Sequence, residues 1–526
     1  MKKRPWWHAI LAKTEGEVQD DDSTSENGDD LLQHQPSFVW EMYRNSTRYK
    51  NPAAYKHILL NHIQRNAHLV TKKGLYLSIR NYCRENAIDM LSIIPLTFYL
   101  APGEHKPNSM KDDDMNEFTA FCEKYAKENN ISVNEINWIM KPASKTNRGF
   151  GIKVVKGMAH VLNVVQRGLS ACSVEDNNNN NHANNNGGPA CSSLENSFSM
   201  DDEGSLKGDG NEEGATAVVT KEKAPADKLT KQSSLSKLPA SKKMPGKGAA
   251  ASVTSSSTGT VDAQENNPLT KAAKKIAQQD GYIVQLYLNT PLLVKNRKFD
   301  IRCFVLAIVS PAPAGSNNAS PGEKQLKAFF FQDAYIRTSS KKYNLANLYD
   351  REIHLTNDAV QKHSASYGKY ESGNKLSLQE WQEIINEDVA KGEGNATSLP
   401  PGVSSTENIV AGYIFPEIRR LCQLSIAAVA PAFTNTEIPK SFELFGYDYM
   451  ILQNYQPVLI EVNTNPCLEF VNPLLTNIIS TVIEHTIRMT VDKEFPPPPK
   501  SVRTKATEDA IQAIEAEPLK FEPLYP

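Results

Sequence analysis

Three oxygen-bearing side chains stand close together in two apolar segments near the end of the sequence. Asp448 lies in FELFGYDYMIL, and Glu461 and Asn463 lie two residues apart in PVLIEVNTNP, after the polar linker QNYQ. Residues two apart on a strand project from one face, so a hairpin of these segments brings all three side chains together. Such oxygens suit Mg²⁺, which keeps waters and phosphate oxygens as further ligands. A structural ion pair is the equally weighted alternative, because buried acids need partners.

Charged and apolar residues alternate in the segment RKFDIRCFVLAIV. Lys298, Asp300 and Arg302 share one face of the predicted strand, while Phe299 and Ile301 pack behind it. A guanidinium pairs with carboxylate or phosphate through two hydrogen bonds, and a lysine supplies a point charge. This face is therefore suited to anionic groups. The alternative is an edge strand whose charges prevent further sheet pairing.

A third group surrounds Lys141, which ends the segment NWIMK and precedes the loop PASKTNRGFG. A lysine there can reach phosphates, and backbone amides of a loop that holds Gly149 and Gly151 can cover them. The loop fits neither GxGxxG nor GxxxxGK[ST]. Gln285, in VQLYL, is a candidate for an adenine edge or merely a strand glutamine. We assign no catalytic role to His354, since a lone histidine more often makes structural hydrogen bonds.

Strand and helix patterns alternate along the chain and predict an α+β (α/β) fold. The predicted strands are Tyr282–Leu288, Lys298–Val309, Lys327–Thr338 and the hairpin Phe442–Pro466. The predicted helices are Met110–Asn130, Met158–Leu169, Leu269–Gln279 and one that begins near Pro416.

Composition divides the chain into six parts. They are a disordered acidic leader (1–35), an N-terminal lobe (36–107), a central lobe (108–169), a disordered insertion (170–267), the rest of the central lobe with a C-terminal lobe (268–495), and a Pro-rich tail (496–526). The insertion is rich in Asn, Ser and Gly, so it cannot bury enough apolar surface to offset its chain entropy. Its lysines could attract an acidic partner. A spacer without a partner is the slightly favoured alternative.

Bulk properties exclude several classes of protein. A formal net charge of −2 gives no reason to expect nucleic acid as a partner. Seven cysteines without close spacing argue against a disulfide scaffold and a zinc site, and indicate reduced thiols. No stretch approaches the ~20 apolar residues of a membrane-spanning helix, and the start lacks a signal-peptide pattern. We therefore expect a cytoplasmic protein with no membrane partner.

Four long segments resemble the tubulin–tyrosine ligase family and occur in the family's order between about residues 137 and 469. They are WIMKPASKTNRGFGI, VQLYLNTPLLVKNRKFDIRCFVLA, REIHLTNDAVQKHSASYGKYESGNKLSLQEW and SFELFGYDYMILQNYQPVLIEVNTNPCLE. The resemblance implies an ATP-grasp-like fold with three lobes. It also implies ATP and Mg²⁺, with K⁺ as an additional candidate, and ligation through an acyl phosphate that an amine attacks.

The resemblance further implies roles for individual residues. Those for the nucleotide are Lys73, Lys141, Arg148, Gly149, Gly151, Gln285, Lys298 and Asp300. Those for magnesium are Asp448, Glu461 and Asn463. Those that act on substrate carboxylates and the transferring phosphate are Arg302, Arg337 and, through its metal, Glu461. Lys73 comes from the segment HLVTKKGLYL, whose match is shorter.

The resemblance implies that the partner is the C-terminal tail of tubulin. GKYESGNKLSLQEW and EFPPPPK are more similar to tyrosine-adding members than to the others, so we predict addition of free tyrosine to alpha-tubulin. A glutamate ligase acting on side-chain carboxylates (a polyglutamylase) is the alternative. A microtubule-binding pseudoenzyme is disfavoured, because every expected nucleotide and metal residue is present. The predicted location is the cytoskeleton, with cilium or flagellum as candidates.

Overall fold

The computed structural model describes residues 4–5, 8–11, 38–41, 58–101, 113–143, 151–167, 217–220, 280–313 and 322–526. Strands in chain order are β1 His8–Leu11, β2 Phe38–Trp40, β3 Leu59–Leu60, β4 Thr97–Leu100, β5 Asn137–Pro142, β6 Lys153–Lys156, β7 Ala217–Thr220, β8 Tyr282–Leu286, β9 Leu293–Val294, β10 Arg297–Pro311, β11 Lys324–Lys342, β12 Lys375–Ser377, β13 Ser441–Ile451, β14 Pro457–Asn463 and β15 Phe521–Tyr525.

The α-helices in the described residues are α1 Ala67–Val70, α2 Lys72–Asn86, α3 Met115–Asn129, α4 Met158–Arg167, α5 Arg351–His354, α6 Asp358–Gln361, α7 Leu378–Lys391, α8 Phe415–Thr434, α9 Pro473–Met489, α10 Val491–Glu494 and α11 Lys505–Ala516. One π-helical turn, Val410–Ile414, leads into α8. This mixture of helices and sheets confirms the predicted α+β class. The predicted helix at 269–279 lies outside the described residues.

Two sheets carry the fold. The larger has eleven strands in the order β1-β7-β2-β3-β13-β10-β11-β12, with β14 on β13, β15 on β11 and β9 on β10. The smaller has four strands in the order β4-β8-β5-β6, all paired antiparallel. β7 belongs to the segment that composition assigns to a disordered insertion, and it pairs with β1 and β2.

Strand β10 shows how the large sheet is packed. Its odd-numbered residues, from Ile301 to Val309, join a core that includes α8 residues such as Leu421 and Ile426. Phe304 and Leu306 point to the opposite face and pack with α9 residues. Because side chains alternate along a strand, Lys298, Asp300 and Arg302 share that second face. The same face is thus apolar along one half of β10 and charged along the other.

The small sheet is packed on one side by helices. Phe98, Phe118 and Trp138 form part of a separate core, in which α3 and α4 cover β4, β5 and β8. Aromatic rings meet there edge to face, with the Phe118 and Trp138 centroids 5.0 Å apart. Ile139, Lys141, Ile283 and Gln285 belong to the opposite side of this sheet and line cavities against the large sheet.

The residues after 495 include one helix and one strand of the large sheet. α11 begins at a Thr504 cap, whose side chain accepts a hydrogen bond from the Thr507 amide, and β15 pairs with β11. The stretch predicted from composition as a Pro-rich tail therefore contains a helix and a strand, because Phe521 and Leu524 supply the buried residues that the prolines lack.

No helix among the described ranges is long and apolar enough to span a bilayer.

Candidate nucleotide and metal site

Strand register brings the charged residues of the large sheet face to face. Asp300 lies opposite Arg337 in the β10–β11 pair, and Arg302 lies opposite Asp448 in the β10–β13 pair. Asp448 in turn lies opposite Glu461 in the β13–β14 pair. Directly opposed residues have Cβ atoms roughly 4.5–5.5 Å apart, so these five side chains form one continuous row across four strands.

A β-bulge places Glu461 in this row. Asp448 pairs with Glu461 but Tyr449 pairs with Leu459, so Ile460 is the extra residue on β14. A bulge shifts the alternation of a strand by one residue. Leu459 therefore reaches the core beside Tyr449, while Glu461 keeps to the charged face.

The row is held by short ion pairs. Arg302 donates from Nε to one oxygen of Asp448 and from Nη2 to the other, the latter at 3.0 Å. Arg337 Nη2 contacts the same Asp448 Oδ2 at 2.8 Å, and Arg337 Nε donates to Asp300 Oδ1 at 2.6 Å. Thr356 donates to the second oxygen of Asp300. These buried charges are thus paired and hydrogen-bonded, which is the condition for burying them.

The two facing carboxylates differ in their pKa. Burial raises the pKa of Asp448, but the charges of Arg302 and Arg337 outweigh burial and hold that pKa well below its usual range. Burial and the neighbouring Asp448 raise the pKa of Glu461, although Lys72 and Lys141 oppose this. The pair therefore consists of one acid that loses its proton more readily than usual and one that holds its proton more tightly than usual. A divalent cation would relieve the repulsion between them.

Two buried lysines adjoin this row, Lys141 from the small sheet and Lys298 from β10 itself. Lys141 is only 3% exposed, and burial lowers its pKa to about 8 despite the attraction of Glu461. Burial lowers the pKa of Lys298 to about 7, opposed by Asp300. Ammonium groups that are kept out of water and only partly compensated are suited to bind phosphate oxygens.

A hydrogen-bonded chain that the sequence did not reveal holds Lys298. Its Nζ donates to the His354 carbonyl at 3.0 Å and to the Tyr287 hydroxyl at 3.3 Å. Tyr287 lies 2.7 Å from His354 Nδ1, while His354 Nε2 faces the carbonyl of Asn347 at 2.8 Å. Since a carbonyl only accepts, Nε2 carries the proton and Nδ1 accepts from Tyr287. His354 thus helps to hold Lys298 in place through hydrogen bonds, which is a structural role.

The two sheets enclose two adjoining cavities. The Lys298 cavity is lined by Ile139, Gln285, Tyr287, Leu288, Lys298, Asp300, Arg337, Thr356, Asn357, Asp448, Met450 and others. The Lys72 cavity is lined by Thr71, Lys72, Tyr76, Gln285, Asn463 and others. Lys141, Ile152, Gln285, Ile460 and Glu461 line both, so the cavities meet there. Together they have the mixed apolar and charged walls of a nucleotide cleft.

Eight of the residues predicted for the site line these cavities, whereas Lys73, Gly151 and Arg302 do not. Lys73 has its Nζ 3.9 Å from the centroid of the Tyr99 ring, whereas its neighbour Lys72 lines the Lys72 cavity. Arg148 and Gly149 lie outside the described residues. Gly151 has a φ of 70°, and a Cβ there would lie 2.7 Å from Pro142 Cγ. The backbone conformation at position 151 therefore favours glycine, independently of any contact with a nucleotide.

Gln285 reaches both cavities, but its amide is already engaged. Its Nε2 donates to Thr97 Oγ1 on the neighbouring strand at 2.8 Å. This hydrogen bond fixes the rotamer of Gln285. Among the described residues, no donor is seen at its side-chain carbonyl oxygen, which can serve as an acceptor. Gln285 can therefore accept a hydrogen bond from a ligand amino group without losing its own partner.

The oxygen set at β13 and β14 fits Mg²⁺ better than a softer metal. The described residues hold no group of three or more His, Cys, Asp and Glu side chains that could form a closed metal cage. Asp448, Glu461 and Asn463 instead offer two carboxylates and one amide, a set that leaves places for waters and phosphates. Asn463 Nδ2 donates to Asp448 Oδ2 at 3.2 Å and lies 3.4 Å from Glu461 Oε1. Its amide would have to turn over to present oxygen to a cation.

Comparison with known proteins identifies a family domain in the chain. A sequence model of the tubulin-tyrosine ligase family matches residues 264–499. The chain carries a tubulin-tyrosine ligase family domain. This confirms the resemblance predicted from the sequence.

Within this family the chain is similar to enzymes named for two different amino acids. It is 32% identical over 213 residues to tubulin glycylase 3D of Tetrahymena thermophila, covering 40% of this chain and 18% of that protein. It is 31% identical over 191 residues to the probable tubulin polyglutamylase TTLL2 of Homo sapiens, covering 36% and 27%. It is 30% identical over 189 residues to the probable tubulin polyglutamylase TTLL9 of Bos taurus, covering 36% and 34%. The matched region thus spans about a third or less of each relative.

The tubulin-tyrosine ligase family match contains the whole row of charges but only part of the wall formed by the small sheet. Every charged residue of the row, from Asp300 to Glu461, falls within residues 264–499, as do Gln285 and Lys298. Lys141 and the α2 lysines precede it. Their position against the row rests on the packing of the small sheet and α2, since they are hundreds of residues away in sequence.

Proposed function

We propose that this chain is an ATP- and Mg²⁺-dependent carboxylate–amine ligase with an ATP-grasp-like arrangement of its two sheets. One observation carries the proposal: Lys141 of the small sheet and Lys298, Asp448 and Glu461 of the large sheet line one continuous pair of cavities. A nucleotide between two sheets would meet the lysines through its phosphates and the acids through a divalent cation.

The arrangement supports a separate task for each group. Lys141 and Lys298 bind phosphate oxygens, and Gln285 with the apolar walls of the Lys298 cavity holds the base. Asp448, Glu461 and Asn463 hold Mg²⁺, which supplies charge neutralisation for phosphoryl transfer. No side chain serves as a nucleophile in this proposal, so positioning and electrostatics carry the rate enhancement.

Arg302 and Arg337 bind the anionic substrate. Both guanidiniums contact Asp448 in the structure, so the row is internally neutralised. A divalent cation held at Asp448 would weaken these pairs and leave the guanidiniums available to a carboxylate and to the transferring phosphate. ATP, as co-substrate, converts that carboxylate to an acyl phosphate with release of ADP. An amine then forms the amide and releases phosphate.

The names of the relatives support tubulin as the substrate protein and either glycine or glutamate as the amino acid added. Tyrosine on alpha-tubulin, predicted from short sequence segments, has no support among the relatives reported above. A tubulin substrate also implies that the protein works at the cytoskeleton. Because the matched region spans a third or less of each relative, the substrate and the partner are both part of the proposal.

A single panel tests the substrate assignment. The full chain is incubated with ATP, Mg²⁺, tubulin and one labelled amino acid at a time: glycine, glutamate or tyrosine. ATP-dependent label in tubulin from glycine or glutamate supports the proposal, and the amino acid is read directly. Label from tyrosine alone would restore the earlier prediction. No label from any of the three, with active relatives as positive controls, would contradict ligation of tubulin.

A further inference from the structure

Glu443 forms a buried polar cluster outside the row of charges. It lies on β13, is 1% exposed, and faces away from Asp448, because the two are an odd number of positions apart, five, along the strand. One oxygen or the other accepts from the Ile63 amide at 3.0 Å, from Asn66 Nδ2 at 2.9 Å, and from Thr464 Oγ1 at 2.6 Å. His62 Nδ1 lies 3.2 Å from Glu443 Oε1. One carboxylate thus meets four donor groups from two separate segments.

The charge of Glu443 is balanced by His62. The Nδ1 of His62 faces Glu443 and its Nε2 faces the Glu41 carbonyl at 3.1 Å. Both partners are acceptors, so both ring nitrogens carry protons and the ring is cationic. Burial lowers the pKa of His62, but Glu443 and the Glu41 carbonyl outweigh burial and raise it. The cluster is therefore a fully satisfied ion pair, which holds a fixed geometry better than apolar packing does.

The segments joined by Glu443 lead to two different elements that line the Lys72 cavity. His62 to Asn66 lead directly into α1 and α2, and Lys72 is the first residue of α2. Thr464 directly follows Asn463, the last residue of β14. Lys72 of α2 and Asn463 of β14 both line this cavity. Glu443 bonds to both segments through one side chain.

We propose that Glu443 is a positioning residue that fixes Lys72 and the metal-binding end of β14 relative to each other at the Lys72 cavity. The inference rests on the proposed function, since it assigns Asn463 to Mg²⁺ and Lys72 to phosphate. The hydroxyl of Thr464 is its most specific link. In this proposal Glu443 contacts neither substrate nor metal, but it restrains Thr464, the residue that follows Asn463.

The test compares isosteric variants of two threonines. Thr464→Val removes the hydroxyl that bonds to Glu443, and Thr464→Ser keeps it. Thr436→Val is the matched control, because Thr436 Oγ1 donates to Gln64 Oε1 at 2.7 Å. This hydrogen bond restrains the same N-terminal segment but does not involve β14. Binding of a fluorescent ATP analogue to the full chain is measured while Mg²⁺ is titrated, and each melting temperature is recorded.

We expect Thr464→Val to need about tenfold more Mg²⁺ for half-maximal nucleotide binding, the usual effect of losing a group that orients a metal ligand. Thr464→Ser and Thr436→Val should keep the wild-type requirement. If Thr464→Val melts much earlier, Asn66→Leu removes the donor from the other end of the link. That variant should weaken nucleotide binding, and the double variant should lose no more than the worse single one.

The outcomes separate two failures. A wild-type chain that binds no nucleotide with Mg²⁺ refutes the proposed function and the inference with it. A wild-type chain that binds, beside a Thr464→Val chain with the same Mg²⁺ requirement, refutes the positioning role alone. Equal losses in Thr464→Val and Thr436→Val would likewise refute it, because they would indicate general loosening of the N-terminal segment.

Discussion

Asp448 and Glu461 should respond in opposite ways to loss of charge, although both are assigned to the same metal. Among the described residues, Asp448→Asn removes the carboxylate that pairs with Arg302 and one of the two that pair with Arg337. Removing one partner of a buried ion pair costs about 3–5 kcal/mol. We expect the free energy of unfolding without ligands to fall by that amount. Glu461→Gln should leave it unchanged or raise it.

The sign follows from the two pKa shifts. The folded-state pKa of Asp448 is lowered, so its ionised form stabilises the fold above the unfolded pKa, and this stability is lost as the pH falls. The folded-state pKa of Glu461 is raised, so its ionised form opposes folding at neutral pH. Glutamine removes that opposition and keeps the shape.

Urea unfolding followed by tryptophan fluorescence and circular dichroism, at neutral pH without nucleotide or metal, measures both effects. Calorimetric titration with Mg²⁺ and ATP supplies the functional half, in which both variants should lose metal-dependent binding. If Glu461→Gln destabilises the chain as much as Asp448→Asn, the assignment of opposite environments to the two acids is wrong. If Asp448→Asn is as stable as wild type, the ion pairs of the row do not hold the sheet together.

Three further predictions use single positions. Gly446→Ala places a Cβ 2.8 Å from Pro466 Cβ and 3.3 Å from Arg302 Cδ, so it should cost about 1–3 kcal/mol and displace Arg302, with ligation reduced. Gly412→Ala, with its nearest neighbour at 3.7 Å, is the control, and equal losses in the two would contradict this. Lys72→Met should weaken nucleotide binding, while Lys73→Met should cost only about 0.5–1 kcal/mol of stability from its contact with Tyr99; the reverse pattern would restore Lys73 to the site. Metal-free ATP binding should weaken as the pH rises past 7 to 8, by up to about tenfold per pH unit for each lysine, because Lys298 and Lys141 have pKa values lowered to about 7 and about 8. The free energy of unfolding should rise over the same pH range, since the unfolded chain then binds more protons than the folded chain. ATP binding that is flat from pH 6.5 to 9.5 would contradict the assignment of both lysines to phosphate.

The short-range part of the site follows from the sequence. Lys298, Asp300 and Arg302 share a face because a strand repeats every two residues, and Glu461 and Asn463 do so for the same reason. These spacings, with the order of the long segments, also indicate the α+β class and the family.

The long-range part needs register and packing. Arg337 meets Asp300 only because β11 pairs with β10 in one register, which a slip of one residue would reverse. The bulge at Ile460 is equally invisible in the sequence. The choice between Lys72 and Lys73 depends on the start of α2, since successive helix residues point about 100° apart. The cluster around Glu443 joins residues about 380 positions apart, and no local sequence pattern predicts it.

Oxygen transfer during turnover tests the central claim most directly, that this site drives ligation by phosphorylating a carboxylate. A tail peptide whose carboxylates carry ¹⁸O is incubated with the full chain, ATP, Mg²⁺ and the amino acid identified by the labelled panel, and the released phosphate is analysed by mass spectrometry. The account predicts one ¹⁸O atom in phosphate for each amide formed, and neither product with Glu461→Gln. Amide formation that leaves the phosphate unlabelled, or that continues in Glu461→Gln, would contradict it.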